Sequence, residues 1–270
     1  VDFFCGGANV AVNSNANKII AIDKETNLIR ILDLFKNYDY MEIVNKLDSI
    51  IEKYNLSNTY KNGYKFYGEN SSSGLGKYNK PYYLKLRDDY NHMKDSSERD
   101  FMFLTLVIYA FNHQIRFNNN GEYNMPVGKR DFNSSIRKNL LEFCRKLVVK
   151  NISFVNTDYK KFKLDSLTSN DFCYFDPPYY LGDASYNEND GWNDNKEKEL
   201  LEYLNEVDKH GIKFALSNVT EHKGLKNEIL INWAIENQYN IHNINYNYSN
   251  SNYHLKNKNQ VTKEVLITNY

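Results

Sequence analysis

The sequence predicts an α/β domain interrupted by a long, mostly helical insertion between its second and third strands. Three observations lead there. The chain opens with two short apolar runs, each followed by a helical pattern. That rhythm stops near residue 37 and resumes near 150. A third apolar run, Phe172-Cys173-Tyr174-Phe175, ends abruptly at Asp176-Pro177-Pro178-Tyr179-Tyr180. Alternating strand and helix signals predict a parallel sheet.

Taken in order, residues 1–4 read as a strand and Cys5-Gly6-Gly7 as a turn, with a short helix from Ala8 to about Asn13. Ile19-Ile20-Ala21-Ile22 is a second buried strand ending at Asp23, followed by a helix with Leu28, Ile31, Leu32 and Phe35 on one face. Within the insertion, Gly68 to Lys80 reads as a loop because it is rich in Gly, Ser and Asn, and Phe101 to Phe111 as an apolar helix. Gln114 to Pro126, centred on Asn119-Asn120-Gly121, carries a hairpin signal. Further strands are expected at Ile152–Val155, ending near Asp158, at Phe172–Phe175, at Ile212–Leu216, which leads into Ser217-Asn218, and at Lys263–Tyr270. Helices are expected at Lys196–Val207 and Asn227–Ile235. The domain reading is therefore 1–36 with 150–270 as one domain and 37–149 as the other.

The 270 residues carry zero net charge, so overall charge points to no polyanionic partner. Locally the picture differs. Between Phe111 and Lys150 eight basic residues face only Glu122, Asp131 and Glu142, a balance suited to phosphate contact, although a solvated helix face has the same composition. The 23 tyrosines suggest surfaces that are flat and wet. Three cysteines without metal spacing argue for a reducing compartment, so a cytoplasmic location is expected, with no disulfide scaffold and no zinc site. The six histidines show no metal-ligand spacing, so no metal is expected. No apolar run is long enough to span a membrane.

The glycine turn after the first strand lets a ligand approach backbone atoms, or is simply a tight strand-to-helix turn; it is not GxGxxG. Asp23, some twenty residues on, suits two ribose hydroxyls or a helix N-cap. Asp158 at a strand end suits an adenine amine or is an ordinary loop acid. Asp176-Pro177-Pro178-Tyr179 is the most specific pattern, its plain alternative being a proline-stiffened loop with a capping aspartate. Neither proline has an N–H, so the strand stops in a stiff turn. That turn offers the Asp176 carboxylate, the Pro177 carbonyl and the Tyr179 ring to a flat base with an exocyclic amine. An adenine N6 lone pair is spread into its ring. Two acceptors holding both N–H groups would polarise it, and such a base must leave the duplex to reach the pocket.

In these motifs the chain resembles the Dam-type (class alpha) N6-adenine DNA methyltransferases, including their restriction–modification relatives. Phe4-Cys5-Gly6-Gly7 resembles the family's cofactor loop, Ala21-Ile22-Asp23 its ribose-binding strand end, and Asp176-Pro177-Pro178-Tyr179 its catalytic motif. Phe214 to Asn218 and Glu264 to Tyr270 resemble later core strands, and Arg116-Phe117-Asn118 with Gly121, Tyr123, Asn124, Pro126 and Gly128 its DNA-reading hairpin. Ala8 departs from the pattern, standing where the family often has a further glycine. A Gly-Lys segment that the family carries ahead of the first strand is not in these residues, so a natural start is expected upstream.

The resemblance implies a Rossmann-like S-adenosylmethionine-dependent sheet with an inserted target-recognition domain, acting on double-stranded DNA. A cognate restriction endonuclease is an implied partner. Implied catalytic residues are Asp176, Pro177 and Tyr179; implied cofactor residues are Asp2, Phe4, Cys5, Gly6, Asp23, Lys24, Asp158, Tyr159 and Asp176. Implied DNA contacts are Phe111, Asn112, Gln114, Arg116, Asn118, Asn124, Lys129 and Arg130, with Arg116 reading a guanine and Lys129 and Arg130 touching phosphates. Phe111 is equally placed to be core. The polar segments Gly182–Asn195, with Trp192, and Tyr246–Tyr253 are expected to be loops, the first closing over the flipped base. Rival readings are an RNA methyltransferase, a DNA-binding module without catalysis and a nicotinamide oxidoreductase. The major-groove hairpin argues against the first and the glycine pattern against the third, while the missing Gly-Lys segment supports the second, which cofactor titration would separate.

Overall fold

A computed structural model describes residues 1–181, 191–244 and 262–270. The chain divides into two compact units, one of residues 1–11, 19–24 and 157–270, the other of residues 12–18 and 25–156. The expected loop at Tyr246–Tyr253 and most of that at Gly182–Asn195 lie outside the described residues.

The first unit is built on a mixed sheet. Strands β1 (Asp2–Phe3), β2 (Ile19–Asp23), β4 (Phe172–Phe175) and β5 (Lys213–His222) run parallel in the order β2-β1-β4-β5. The short strand β6 (Leu225–Lys226) pairs antiparallel with the end of β5, β8 (Thr262–Thr268) antiparallel with β5, and β7 (Asn240–Ile244) antiparallel with β8. Strand β3 (Ile152–Asn156) falls in the second unit, where its Ile152 carbonyl accepts from Lys36 Nζ at 2.8 Å. The parallel strands are near-continuous apolar runs because both faces of such a sheet are covered; Phe3, Ile22, Phe175 and Leu216 are all at most 1% exposed. Helices α8 (Asp194–Lys209) and α9 (Glu228–Glu236) pack on β5, burying Leu200, Leu204, Leu230 and Ala234.

Register sets the working edge. Phe3 stands beside Ile22 and Phe175, and Phe175 beside Leu216. The next residues, Asp23, Phe4, Asp176 and Ser217, therefore share one level at the carboxyl end. Because the chain leaves β1 first for β2 and later for β4, the topological switch point lies between β1 and β4. Ligands bind at that crevice in open α/β sheets.

The second unit is mainly helical: α2 (Thr26–Asn37), α3 (Tyr40–Lys53), α4 (Thr59–Asn62), α5 (Gly76–His92), α6 (Ser97–Tyr109) and α7 (Ser134–Val149). Its core is aromatic, with Tyr83, Tyr90, Tyr109, Tyr123, Phe101, Phe103 and Phe132 all at most 1% exposed. These tyrosines are therefore core residues, not the wet surface that composition suggested. Their hydroxyls find acceptors: Tyr83 on the Met125 carbonyl (3.2 Å), Tyr109 on that of Ser57, and Tyr123 on that of Gln114 (2.9 Å). A buried hydroxyl is tolerated only with such a partner.

Several expectations need correction. Helix α5 begins at Gly76, so the loop expected to run to Lys80 ends earlier; Leu75 is fully buried, its N–H donating to the Lys129 carbonyl at 3.0 Å. Helix α6 ends at Tyr109, and Phe111 starts a separate turn with Asn112 and His113 at positive φ. The hairpin is narrower than expected. It holds isolated bridges, Phe117 with Tyr123 and Ala110 with Val127, around a turn at Gly121 (φ 76°). Strand β7 had no apolar signal, since all five of its residues are exposed.

Candidate active site

The glycine turn leaves β1 through a kinked backbone. Phe4, Gly6 and Ala8 have φ of 58°, 48° and 56°. For Ala8 that left-handed conformation costs about 1–2 kcal/mol, the physical reason a glycine is favoured at such a position. The Cys5 N–H donates to the Ile22 carbonyl (2.9 Å) and the Gly6 N–H to Asp23 Oδ2 (3.1 Å), tying the loop to the end of β2. Helix α2 is capped by Glu25, which accepts from the Asn27 N–H, so Asp23 does not serve as that cap.

An open cleft lies beside this loop. Its walls include Phe4, Asp23, Lys24, Asp158, Tyr159 and Trp192. The Phe4 ring stands 5.0 Å from that of Tyr159 and 5.8 Å from that of Trp192. Asp158 accepts from the Lys160 N–H at 2.9 Å, and the Lys160 ammonium pairs with Glu199 at 2.7 Å. Aromatic faces with carboxylates at the rim suit a nucleoside: a flat base against the rings and hydroxyl donors on the acids.

Asp2 lies deeper. Its side chain is buried, and Oδ2 accepts from the Ala11 N–H of helix α1 (Asn9–Asn13) at 3.0 Å. Loss of solvation, with added repulsion from Asp176 and Asp23, pushes its carboxyl up to about 6. Cys5 is also buried, and desolvation raises its thiol far above the ordinary range, so it is inert packing.

Asp176 keeps solvent access at the end of β4 while Pro177 is buried beneath it. The Tyr179 hydroxyl donates to Asp176 Oδ1 at 3.1 Å. Desolvation raises the Asp176 carboxyl; the Tyr179 hydrogen bond opposes that and Glu264 adds to it. The first unit therefore brings together Asp2, Phe4, Cys5, Gly6, Asp23, Lys24, Asp158, Tyr159, Asp176, Pro177 and Tyr179.

The other candidates sit in the second unit. Arg116 Nε donates to Asn124 Oδ1 at 2.8 Å, and the Asn124 N–H donates to the Arg116 carbonyl at 3.1 Å. Asn118 uses its side chain inside the turn, accepting from the Asn120 and Glu122 N–H groups and donating to Glu122. Phe111 is 48% exposed, which removes the core alternative. Lys129 and Arg130 are exposed, and Gln114 is half-buried.

Two structural devices had no signal in the sequence. Glu197, fully buried on α8, accepts from Trp192 Nε1 at 2.5 Å, Asn218 Nδ2 at 3.2 Å and Asn227 Nδ2 at 2.8 Å. It thereby fixes one wall of the cleft. Asn91 on α5 bonds both the N–H and the carbonyl of Tyr123, at 2.9 and 3.2 Å, and so anchors the hairpin. Only three-dimensional pairing reveals either one.

Comparison with known proteins supplies the family. Residues 1–250 match the model of the D12 class N6 adenine-specific DNA methyltransferases. The whole chain is 38% identical to the type II methyltransferase M.FokI of Planomicrobium okeanokoites, covering 38% of that protein. It is 35% identical to the modification methylase StsI of Streptococcus sanguinis, again covering 38% of it. A 184-residue stretch, 66% of this chain, is 25% identical to the DNA adenine methylase of Salmonella typhi and covers 55% of that protein. The chain thus spans about two fifths of the length of the first two relatives. With the family model matched across nearly its full length, this chain belongs to the D12 class N6 adenine-specific DNA methyltransferase family.

Proposed function

We propose that this chain is the catalytic part of an enzyme that transfers a methyl group from S-adenosylmethionine to N6 of an adenine flipped out of duplex DNA. The observation that carries the reading is the common level of Phe4, Asp23 and Asp176 at the carboxyl edge, on either side of the switch point. The residues present fit the cofactor. Phe4, Tyr159 and Trp192 offer ring faces for its adenine, and Asp23 and Asp158 accept from hydroxyl or amine donors. The buried carboxylate of Asp2, repelled by that of Asp176, favours a cationic occupant. S-adenosylmethionine, when bound, supplies an electrophilic methyl group.

The chain's own part is positioning. Asp176 and the Pro177 carbonyl hold the two N6 hydrogens of the flipped adenine, turning the nitrogen lone pair out of the ring plane. Tyr179 orients Asp176 by its hydrogen bond and stacks its ring on the base. The methylated nitrogen is acidic enough to pass its proton to water, so no strong base is required.

Residues 1–36 and 150–270 form the catalytic domain of this reading, in a Rossmann-like methyltransferase sheet, and 37–149 the target-recognition domain with its hairpin. There Phe111, Asn112, Gln114, Arg116, Asn118 and Asn124 meet the bases, and Lys129 and Arg130 meet phosphates. Asn124 pre-orients the Arg116 guanidinium, which suits bidentate reading of guanine. The names of the relatives, a type II methyltransferase and a modification methylase, support a modification role beside a cognate endonuclease.

The test is methyl incorporation into adenines of duplex DNA by the wild type and by Asp176→Ala. The variant should fold, since Asp176 is exposed, and should lose about 10²–10³-fold or more of the rate. Wild-type turnover in the variant refutes the assignment.

A further inference from the structure

We propose that residues 59–78 form a second duplex-DNA contact surface, continuous with Lys129 and Arg130, which holds phosphates flanking the site that the hairpin reads. The inference rests on the DNA-methyltransferase reading above and extends its interface to a segment that no motif marks.

A set of contacts welds this segment to the Lys129-Arg130 loop. The Leu75 N–H donates to the Lys129 carbonyl at 3.0 Å. Gly74 packs so closely on Lys129 that a Cβ there would stand 2.6 Å from the Lys129 Cβ, and a Cβ on Gly76 would stand 3.0 Å from the Gly128 carbonyl. The Arg130 guanidinium reaches the Tyr64 hydroxyl at 3.5 Å. Asp131 accepts from the Thr59 N–H and hydroxyl, both at 2.7 Å, and from the Ser57 hydroxyl at 3.2 Å. Residues far apart in sequence thus form one face.

The charge on that face is predominantly positive. Lys61, Lys65, Lys77, Lys129 and Arg130 are all exposed, and none forms an ion pair with a described residue. The one acid among residues 59–80, Glu69, accepts from the Ser73 hydroxyl. Asp131 is buried under its donors and presents no charge outward. The same segment carries Tyr60 and Phe66, 58% and 71% exposed, the latter backed by a row of rings through Tyr67 and Tyr78 at 5.0 and 4.7 Å. Exposed lysines interleaved in sequence with exposed aromatic rings fit a polyanion such as duplex DNA. Phosphate contacts of this kind fix register on the duplex and carry no sequence information.

The experiment is binding of the full protein to a random-sequence 30-base-pair duplex, followed by fluorescence anisotropy across a salt series. Each phosphate contact contributes about 0.9 to the slope of log K against log salt. The triple variant Lys61→Gln, Lys65→Gln, Lys77→Gln should lower that slope by about 2–3 and weaken binding about tenfold or more at 0.15 M salt. A control triple in the first unit, Lys198→Gln, Lys209→Gln, Lys226→Gln, removes equal charge and should leave the slope within about 0.5. An unchanged slope in the first triple overturns the proposal, as does an equal fall in the control or a loss confined to single-stranded DNA. A wild type that binds no duplex DNA sinks the parent reading as well; unchanged slope with normal wild-type binding sinks this proposal alone.

Discussion

Asp2→Asn should stabilise the protein at neutral pH while weakening its proposed cofactor site. Asp2 is 4% exposed, and burial pushes its carboxyl from an ordinary 3.8 up to about 6. The native state therefore holds this proton over a pH range in which the unfolded chain releases it. Stability falls as pH rises from about 4 to about 6, and the deficit is complete above 6. The interval from 3.8 to about 6, at about 1.4 kcal/mol per tenfold change, makes that deficit about 3 kcal/mol. Asparagine keeps an oxygen for the Ala11 N–H and carries no charge to desolvate. Urea denaturation of wild type and variant at pH 4 and pH 7.5 measures the effect. The two should match closely at pH 4, and the variant should gain up to about 3 kcal/mol at pH 7.5. Calorimetric titration with S-adenosylmethionine should show about tenfold or more loss of affinity, the scale of one charge-assisted hydrogen bond. A variant no more stable at pH 7.5, or a gap equal at both pH values, refutes the reasoning. The arrangement places stored electrostatic cost where a ligand collects it, the usual stability–activity conflict.

Two further outcomes follow from packing. Glu197→Ala leaves the Trp192, Asn218 and Asn227 donors without their acceptor; it should cost about 3–5 kcal/mol, and the Trp192 emission should shift to the red. A melting temperature within a degree or two of wild type, with unmoved emission, contradicts this. Gly128→Ala puts a Cβ 2.5 Å from the Ala110 carbonyl oxygen. The hairpin base must shift at a cost of about 1–3 kcal/mol, measured as a lower urea midpoint; a neutral result would show that the close approach relaxes freely.

The parallel strands could be read directly because each is an apolar run that ends in a polar or constrained residue: Ile22 before Asp23, Phe175 before Asp176 and Pro177. Strand ends carry the chemistry in such sheets, so locating the ends also located Phe4, Asp23 and Asp176. Helix α6 could be read from its apolar run, but not its stop at Tyr109, where Ala110 turns extended to bridge Val127. The Gly-Ser-Asn composition of residues 68–80 hid the start of α5, since packing against Lys129, not propensity, fixes Gly74 and Leu75. Strand β7, Asn240–Ile244, shows no alternation because none of its residues is buried; backbone pairing with β8 alone defines it.

What the sequence determined by itself was the succession of parallel strands and the residue types standing at their ends. Periodicity reports which face of an element leaves water, and a proline pair reports where a strand must stop. Only the tertiary structure decided that Asp23, Phe4 and Asp176 share one level, that Glu197 holds Trp192, and that four tyrosines belong to the core. Those facts depend on inter-strand register and on donors meeting acceptors from distant parts of the chain. Such pairings leave no local trace in the order of residues.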